Sequence, residues 1–291
     1  MLNTWLLKDK TSRSQIWKFL QLIRPQLPEL DINISSLKIG DHLLFFNSLQ
    51  TTRLDRDGYF THQTPSSLLN RSELLYTRRL WVQGHITNHN SSIPLDIDGQ
   101  CIETIKFVKK KNKDTFVCIN RNILMPSVSN KPFITELRTL LYTNTEPSDG
   151  KTRLISSNTP SSSKKIGTFR FKREDIISYS YLTSNPHRIH LDSQYSQEIE
   201  GYKDIIVQGP FSLQVMLKFA DVYFKGTATS IRNVKYKHSS PIYPETKVDI
   251  LLLDNAEGKY KLWMVPVDSL DKTYLSAEIE VITNTSGPLL L

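Results

Sequence analysis

The chain has only two cysteines, Cys101 and Cys118, in 291 residues. Both lie in apolar, strand-like stretches. Two are too few for a disulfide framework, and a reducing compartment is the natural setting. No Cys-x-x-Cys pair and no cysteine–histidine spacing matches a zinc site. No apolar run reaches the roughly 18 residues that a membrane-spanning helix needs. Neither an RNP-like nor a helix-turn-helix pattern is present. The one dense basic run, Lys109-Lys110-Lys111 with Lys113, reads as a solvated hairpin turn.

What is present suits a folded chain with a real core. Hydrophobic residues make up 38% and charged residues 23%, which separates the chain from disordered sequences. The length fits two domains or one double-length unit. The net charge of +8 creates a positive field without a concentrated patch. Such a field attracts an anionic partner: nucleic acid, or a phosphate-bearing carrier such as coenzyme A or phosphopantetheine.

Over residues 1–28, five basic side chains (Lys8, Lys10, Arg13, Lys18 and Arg24) face a single acid, Asp9. Trp5, Leu6, Ile16, Trp17, Phe19 and Leu20 supply apolar faces. A basic, acid-poor, amphipathic segment is the profile of a mitochondrial transit sequence. An ordinary surface helix over Arg13–Ile23 is the other reading of the same residues. No continuous apolar core follows the first basic residues, which argues against a secretory signal.

Residues 29–125 read as a first domain. An apolar, strand-like run covers Leu43–Phe46, a half-buried strand spans Arg79–Ile86, and Cys101–Val108 pairs with Thr115–Asn122 as a hairpin around the lysine turn. Residues 126–168 read as a connector. Its early part, Ile134–Tyr142, suits a short helix, and Thr143–Ser163 is a linker rich in Ser, Thr, Asn and Pro. Residues 169–291 read as a second domain. A helix over Arg173–Leu182 has acids in its first turn. Pro210 suits the first helical position. The helix that follows, Phe211–Tyr223, is apolar nearly all round and therefore buried. Four strand-like runs close the domain.

The chemistry-bearing stretch lies between those two helices. It runs Tyr181-Leu182-Thr183-Ser184-Asn185-Pro186-His187-Arg188-Ile189-His190-Leu191-Asp192 and places two of the seven histidines three residues apart in a proline-containing loop. A histidine ring accepts and returns protons near neutrality. Ser184 suits a loop or capping role. Arg188 suits either a carrier phosphate or an ion pair with Asp192, four residues on.

This stretch resembles the active-site segment of the MaoC-like hotdog hydratases and dehydratases, whose pattern runs Asp, any residue, Asn, Pro, any residue, His. Aligned on His190, the carboxylate position is taken by Asn185, and His187 and Arg188 fall at the Asn and Pro positions. The form Asn-Pro-His-Arg-Ile-His with an acid after it is similar to the branch that holds fungal mitochondrial 3-hydroxyacyl-thioester dehydratases of type II fatty-acid synthesis. Val207-Gln208-Gly209-Pro210 resembles that family's Val-His-Gly-Pro start of a central helix. Leu80-Trp81-Val82-Gln83-Gly84 is similar to a Met-Trp-Ala-Gly-Gly run in the branch's first half. The likeness covers residues 37–282.

The resemblance implies an α+β double hotdog, with an antiparallel sheet wrapped around a long central helix in each half. The first half is degenerate and lacks its own acid/base pair. The implied activity is a hydro-lyase that dehydrates 3-hydroxyacyl thioesters in the mitochondrial matrix. The thioester is carried on acyl carrier protein or coenzyme A, with no metal or cofactor. The expected catalytic groups are His190 as base, Asn185 orienting the hydroxyl, and the Gly209 N–H stabilising the enolate oxygen. His187, Arg188, Gln208 and Pro210 are expected to contact substrate. Hotdogs work as pairs, formed either within this chain or in a homodimer. A hotdog thioesterase and a non-catalytic acyl-carrier or RNA-binding module are the competing functions.

Overall fold

The computed structural model describes residues 3–47, 54–90, 92–147, 162–227, 229–267, 269–270 and 272–283. Among the described residues, ten strands form one antiparallel sheet. The first half supplies β1 (Thr4–Lys10), β2 (Arg78–Asn88), β3 (Asp98–Lys111), β4 (Asp114–Met125) and β5 (Ser129–Thr143). The second supplies β6 (Lys164–Phe171), β7 (Thr229–His238), β8 (Thr246–Asp254), β9 (Lys259–Pro266) and β10 (Leu275–Thr283). Their order is β1-β3-β4-β5-β2-β7-β10-β9-β8-β6. The halves meet where β2 pairs with β7, Ile86 opposite Val234, so the hotdog pair forms within one chain.

The helices are α1 (Arg13–Ile23), α2 (Pro65–Leu69), α3 (Arg173–Leu182), α4 (Ser193–Glu198) and α5 (Gly209–Tyr223). The central helix α5 buries ten consecutive residues, Phe211 to Ala220. Phe211 stacks on Tyr179 of α3, ring centroids 4.6 Å apart. The aromatic and aliphatic side chains of α5 join one hydrophobic cluster with β7–β10 and much of the first half. Even Lys218, inside that helix, is buried, its charge met by Asp41 at 2.7 Å.

Four sequence expectations are corrected. First, residues 4–26 belong to the fold. β1 pairs along its length with β3, and α1 buries Ile16, Phe19, Leu20 and Ile23. At about 1.5–3 kcal/mol per fully buried side chain, that face is part of the core. The same amphipathic, basic profile builds a half-buried helix over Arg13–Ile23, the other reading of these residues. Second, Ile134–Tyr142 is extended within β5, not helical. It lies between β4 and β2, bonded to both, and its Ile, Thr and Tyr content favours a strand. The first half therefore runs to Thr143. Of the expected linker, residues 148–161 lie outside the described residues. Third, Leu43–Phe46 is not a strand. A single helical turn covers Asp41–Leu44, and Phe45 and Phe46 are buried behind it. Fourth, a long central helix is found in the second half only. Among the described residues of 29–125 the helices are single turns and the five-residue α2.

Candidate active site

The histidine loop connects α3 to α4. Ser184 turns the chain in the left-handed region at φ +48°. Asn185 then fixes the turn, its Oδ1 accepting from the His187 N–H at 3.1 Å. A single helical turn, Arg188–His190, follows. The His190 ring is buried, and its Nδ1 stands 2.8 Å from the Ile206 carbonyl. A carbonyl only accepts, so Nδ1 carries the proton and Nε2 is left with its lone pair. Burial is the main force on this ring. It lowers the pKa to about 3, with His187 adding to the effect and the Ile206 bond opposing it. The ring is thus neutral at working pH.

The ring lies on a cavity of about 350 Å³ between the halves. Asn185, His187, His190, Gly209 and Pro210 all line it, together with Thr183, Ile206 and Val207. The start of α5 is therefore beside the histidine loop. Gly209 is the first residue of that helix, and first-turn N–H groups have no partner inside their own helix. They also carry the positive end of the helix dipole. A Cβ on Gly209 would sit 3.1 Å from Trp81 Cε3 and 3.3 Å from His238 Nε2. Glycine keeps that approach open.

Two expected substrate contacts are placed elsewhere. Gln208 is fully buried, and its Nε2 donates to the Ile176 carbonyl and the Ser180 Oγ of α3, at 2.8 and 2.7 Å. It ties the start of α5 to α3. Arg188 pairs with Asp192 at 2.9 Å and lies 4.0 Å over the Tyr195 ring. The ion pair is the one of its two expected roles that the structure shows, and neither residue lines the cavity.

The structure also adds residues to which the sequence assigned no role in the site. His238, the last residue of β7, lines the cavity, with burial lowering its pKa to about 4. No hydrogen-bond partner for its Nε2 is found among the described residues. Trp81, whose ring lies 5.8 Å from it, precedes a β-bulge at Val82. Bulges re-aim side chains beside sites, and both Trp81 and Val82 face this cavity. Tyr59, Gln63, Arg79 and Arg138 bring first-half polarity to its wall. The only sequence signal for His238 was a strand ending in His-Ser-Ser-Pro.

Comparison with known proteins shows the family. Residues 40–244 match the family model described as hydroxyacyl-thioester dehydratase type 2. The chain belongs to that family. It is 34% identical over 282 residues to the mitochondrial hydroxyacyl-thioester dehydratase type 2 of Saccharomyces cerevisiae, covering 95% of this chain and 98% of that protein. The Schizosaccharomyces pombe protein of the same name is 23% identical, over 89% of this chain and 92% of its own. A MaoC-like dehydratase from Phytophthora capsici shares the fold, with a TM-score of 0.70, 13% identity, and coverage of 97% and 96%. The type 2 family match spans both halves of the sheet, so the first half is part of the family's unit.

Proposed function

We propose that this chain is a mitochondrial hydro-lyase that reversibly dehydrates 3-hydroxyacyl thioesters, acting in type II fatty-acid synthesis. The observation that carries the reading is a neutral imidazole, pinned through Nδ1, on the same cavity as the free start of a buried helix. His190 Nε2 removes a proton from C2 of the acyl chain. The electron pair moves toward the thioester oxygen, which the Gly209 N–H stabilises, a donor typically worth about 3 kcal/mol. The pair returns to form the C2–C3 double bond. The C3 hydroxyl leaves with the proton from His190 Nε2–H, as water. Atoms balance without an outside acid.

Burial penalises the imidazolium, which favours passing the proton on at once. Asn185 can neither give nor take a proton. With Oδ1 committed to the loop, its Nδ2 hydrogens hold the hydroxyl oxygen. The net positive charge draws in the phosphate of coenzyme A or of the phosphopantetheine on acyl carrier protein.

The test is hydration of enoyl thioesters of several lengths by the full chain, followed by loss of enoyl absorbance, with thiol release read in parallel. Absorbance loss without thiol release is expected. Thiol release in its place would mean a thioesterase, and neither signal would end the dehydratase reading. Salt-sensitive retention of nucleic acid without turnover would favour a binding module.

A further inference from the structure

The loop 55–60 of the first half docks on the catalytic loop of the second. The Arg188 N–H donates to the Asp57 carbonyl at 2.8 Å. Gly58, at φ +78°, approaches so closely that a Cβ there would stand 2.6 Å from the Pro186 oxygen. The Tyr59 and His187 rings lie 5.5 Å apart. This docking brings a buried first-half carboxylate to a second-half histidine. Asp57 Oδ1 accepts from the Tyr59 N–H at 2.9 Å. Its Oδ2 stands 3.5 Å from His187 Nε2 and 3.4 Å from Arg79 Nε. His187 Nε2 is buried and has no hydrogen-bond partner among the described residues.

We propose that Asp57 is a positioning residue for His187, holding its ring as the Nε2–H tautomer so that Nδ1 is the acceptor for the substrate. The inference rests on the dehydratase reading. His187 lines the acyl cavity, and a ring with its Nδ1 lone pair available accepts the hydrogen of the C3 hydroxyl, or of the water that adds back. Two neutral imidazoles with perpendicular planes, 5.3 Å between centroids, then share the work. His190 moves the proton and His187 orients the oxygen. Burial holds His187 well below the ordinary histidine range, and Arg79 pushes the same way, so the ring carries one proton and the tautomer matters. The 3.5 Å approach is longer than a hydrogen bond, and such contacts shorten when substrate closes a site. The second-half loop contains no carboxylate before His190. In this chain the carboxylate crosses from the other half.

The rival role for Asp57 is to neutralise Arg79 alone, and the experiment separates the two. Nitrogen-15 NMR of the histidine-labelled full chain, with His187 assigned through His187→Gln, reads the tautomer directly. The Nε2–H form is expected; the Nδ1–H form overturns the proposal, and this measurement needs no Asp57 variant to fold. Steady-state kinetics on an enoyl thioester then test the consequence. Asp57→Ala is expected to lower kcat at least about 10-fold with KM within about 2-fold, and to add nothing in a His187→Gln background. Wild-type kcat in Asp57→Ala, or a loss that persists undiminished beside His187→Gln, overturns it. If the wild-type chain itself does not hydrate enoyl thioesters, the dehydratase reading fails, while the tautomer still decides the Asp57–His187 contact.

Discussion

The two halves share a five-stranded sheet but bury opposite things beneath it. The second half buries α5, an apolar helix whose start faces the cavity. The first half buries a row of charge. Glu103, Arg121 and Glu136 stand opposite one another across β3, β4 and β5. Arg121 Nε meets Glu103 at 2.8 Å, and its Nη1 meets Glu136 at 3.0 Å. Arg138 Nε adds a further 2.8 Å contact to Glu136, and His42 stands 3.6 Å from the same residue. Arg138 also lines the acyl cavity, its guanidinium 4.8 Å from the Trp81 ring centroid. One half therefore carries the histidine loop and the helix start, and the other a polar wall and the loop that docks on them. The difference teaches that a hotdog can lose its central helix and keep its sheet, provided that every charge put there has a partner.

The largest expected effect tests whether the chemistry belongs to the second half. His190→Ala should lower hydration of an enoyl thioester by roughly 10²- to 10⁴-fold and leave the circular-dichroism spectrum unchanged. Near-normal turnover in the folded variant would remove His190 from the mechanism. Next comes the contrast between the two interiors. Glu136→Gln leaves Arg121 and Arg138 short of a counter-charge, and breaking such a buried pair costs about 3–5 kcal/mol. Leu213→Ala in α5 opens a cavity, at a cost of about 2–5 kcal/mol. Urea unfolding compares them. The costs look alike, but converting Glu103, Arg121, Glu136 and Arg138 together to apolar residues should recover most of the first loss. If that quadruple variant is as unstable as Glu136→Gln, the row is needed for more than charge pairing. A smaller effect is expected from Gly209→Ala. Its methyl group would press on Trp81 and His238 at the start of α5, and kcat/KM should fall about 10-fold with little change in stability. Unchanged kinetics would show that the thioester does not approach this backbone.

Much of the second half was legible in the sequence, and the reasons are physical. The helix over Gly209–Tyr223 announces itself by Pro at its start and apolar residues on every face. Strands β7 to β10 alternate and are separated by turn residues. The His187–His190 loop was found because two imidazoles flank a proline break. The first half was harder. A row such as Glu103, Arg121 and Glu136 looks like the solvent face of a hairpin, because alternation alone cannot say which face is covered. Ile134–Tyr142 reads as a helix from sequence because a short apolar run suits either a helix or a strand until its neighbours are known. Asp57 carries no local signal, and His238 only its place at the end of a strand. What marks them is the company that folding brings: Asp57 meets His187, 130 positions along, and His238 meets Trp81.

The finest distinction between the halves is the sign of one substitution, Glu→Gln, made once in each. Glu103 is held at about 2, because Arg121 and the other cations beside it outweigh the burial that raises it. Its folded value lies below the unfolded value near 4.5. Its contribution to stability is therefore present above pH 4.5 and lost as the pH falls toward 2. Glu200, between α4 and Tyr202, is fully buried and moved the other way, to about 8, chiefly by burial, with Asp57 adding to it. A raised carboxyl favours the folded state below pH 4.5, and that benefit is lost as the pH rises through 8. Glutamine imitates the neutral acid in both places. Glu103→Gln should therefore lower the melting temperature at pH 7, and the penalty should shrink as the pH drops below 4.5. Glu200→Gln should be silent near pH 4 and raise the melting temperature at pH 8. Thermal melts of the two variants and the parent across that range give the answer. Shifts of the same sign at pH 8 would mean that the first-half charges are not paired as tightly as their distances indicate, or that Glu200 finds a cation when it ionises.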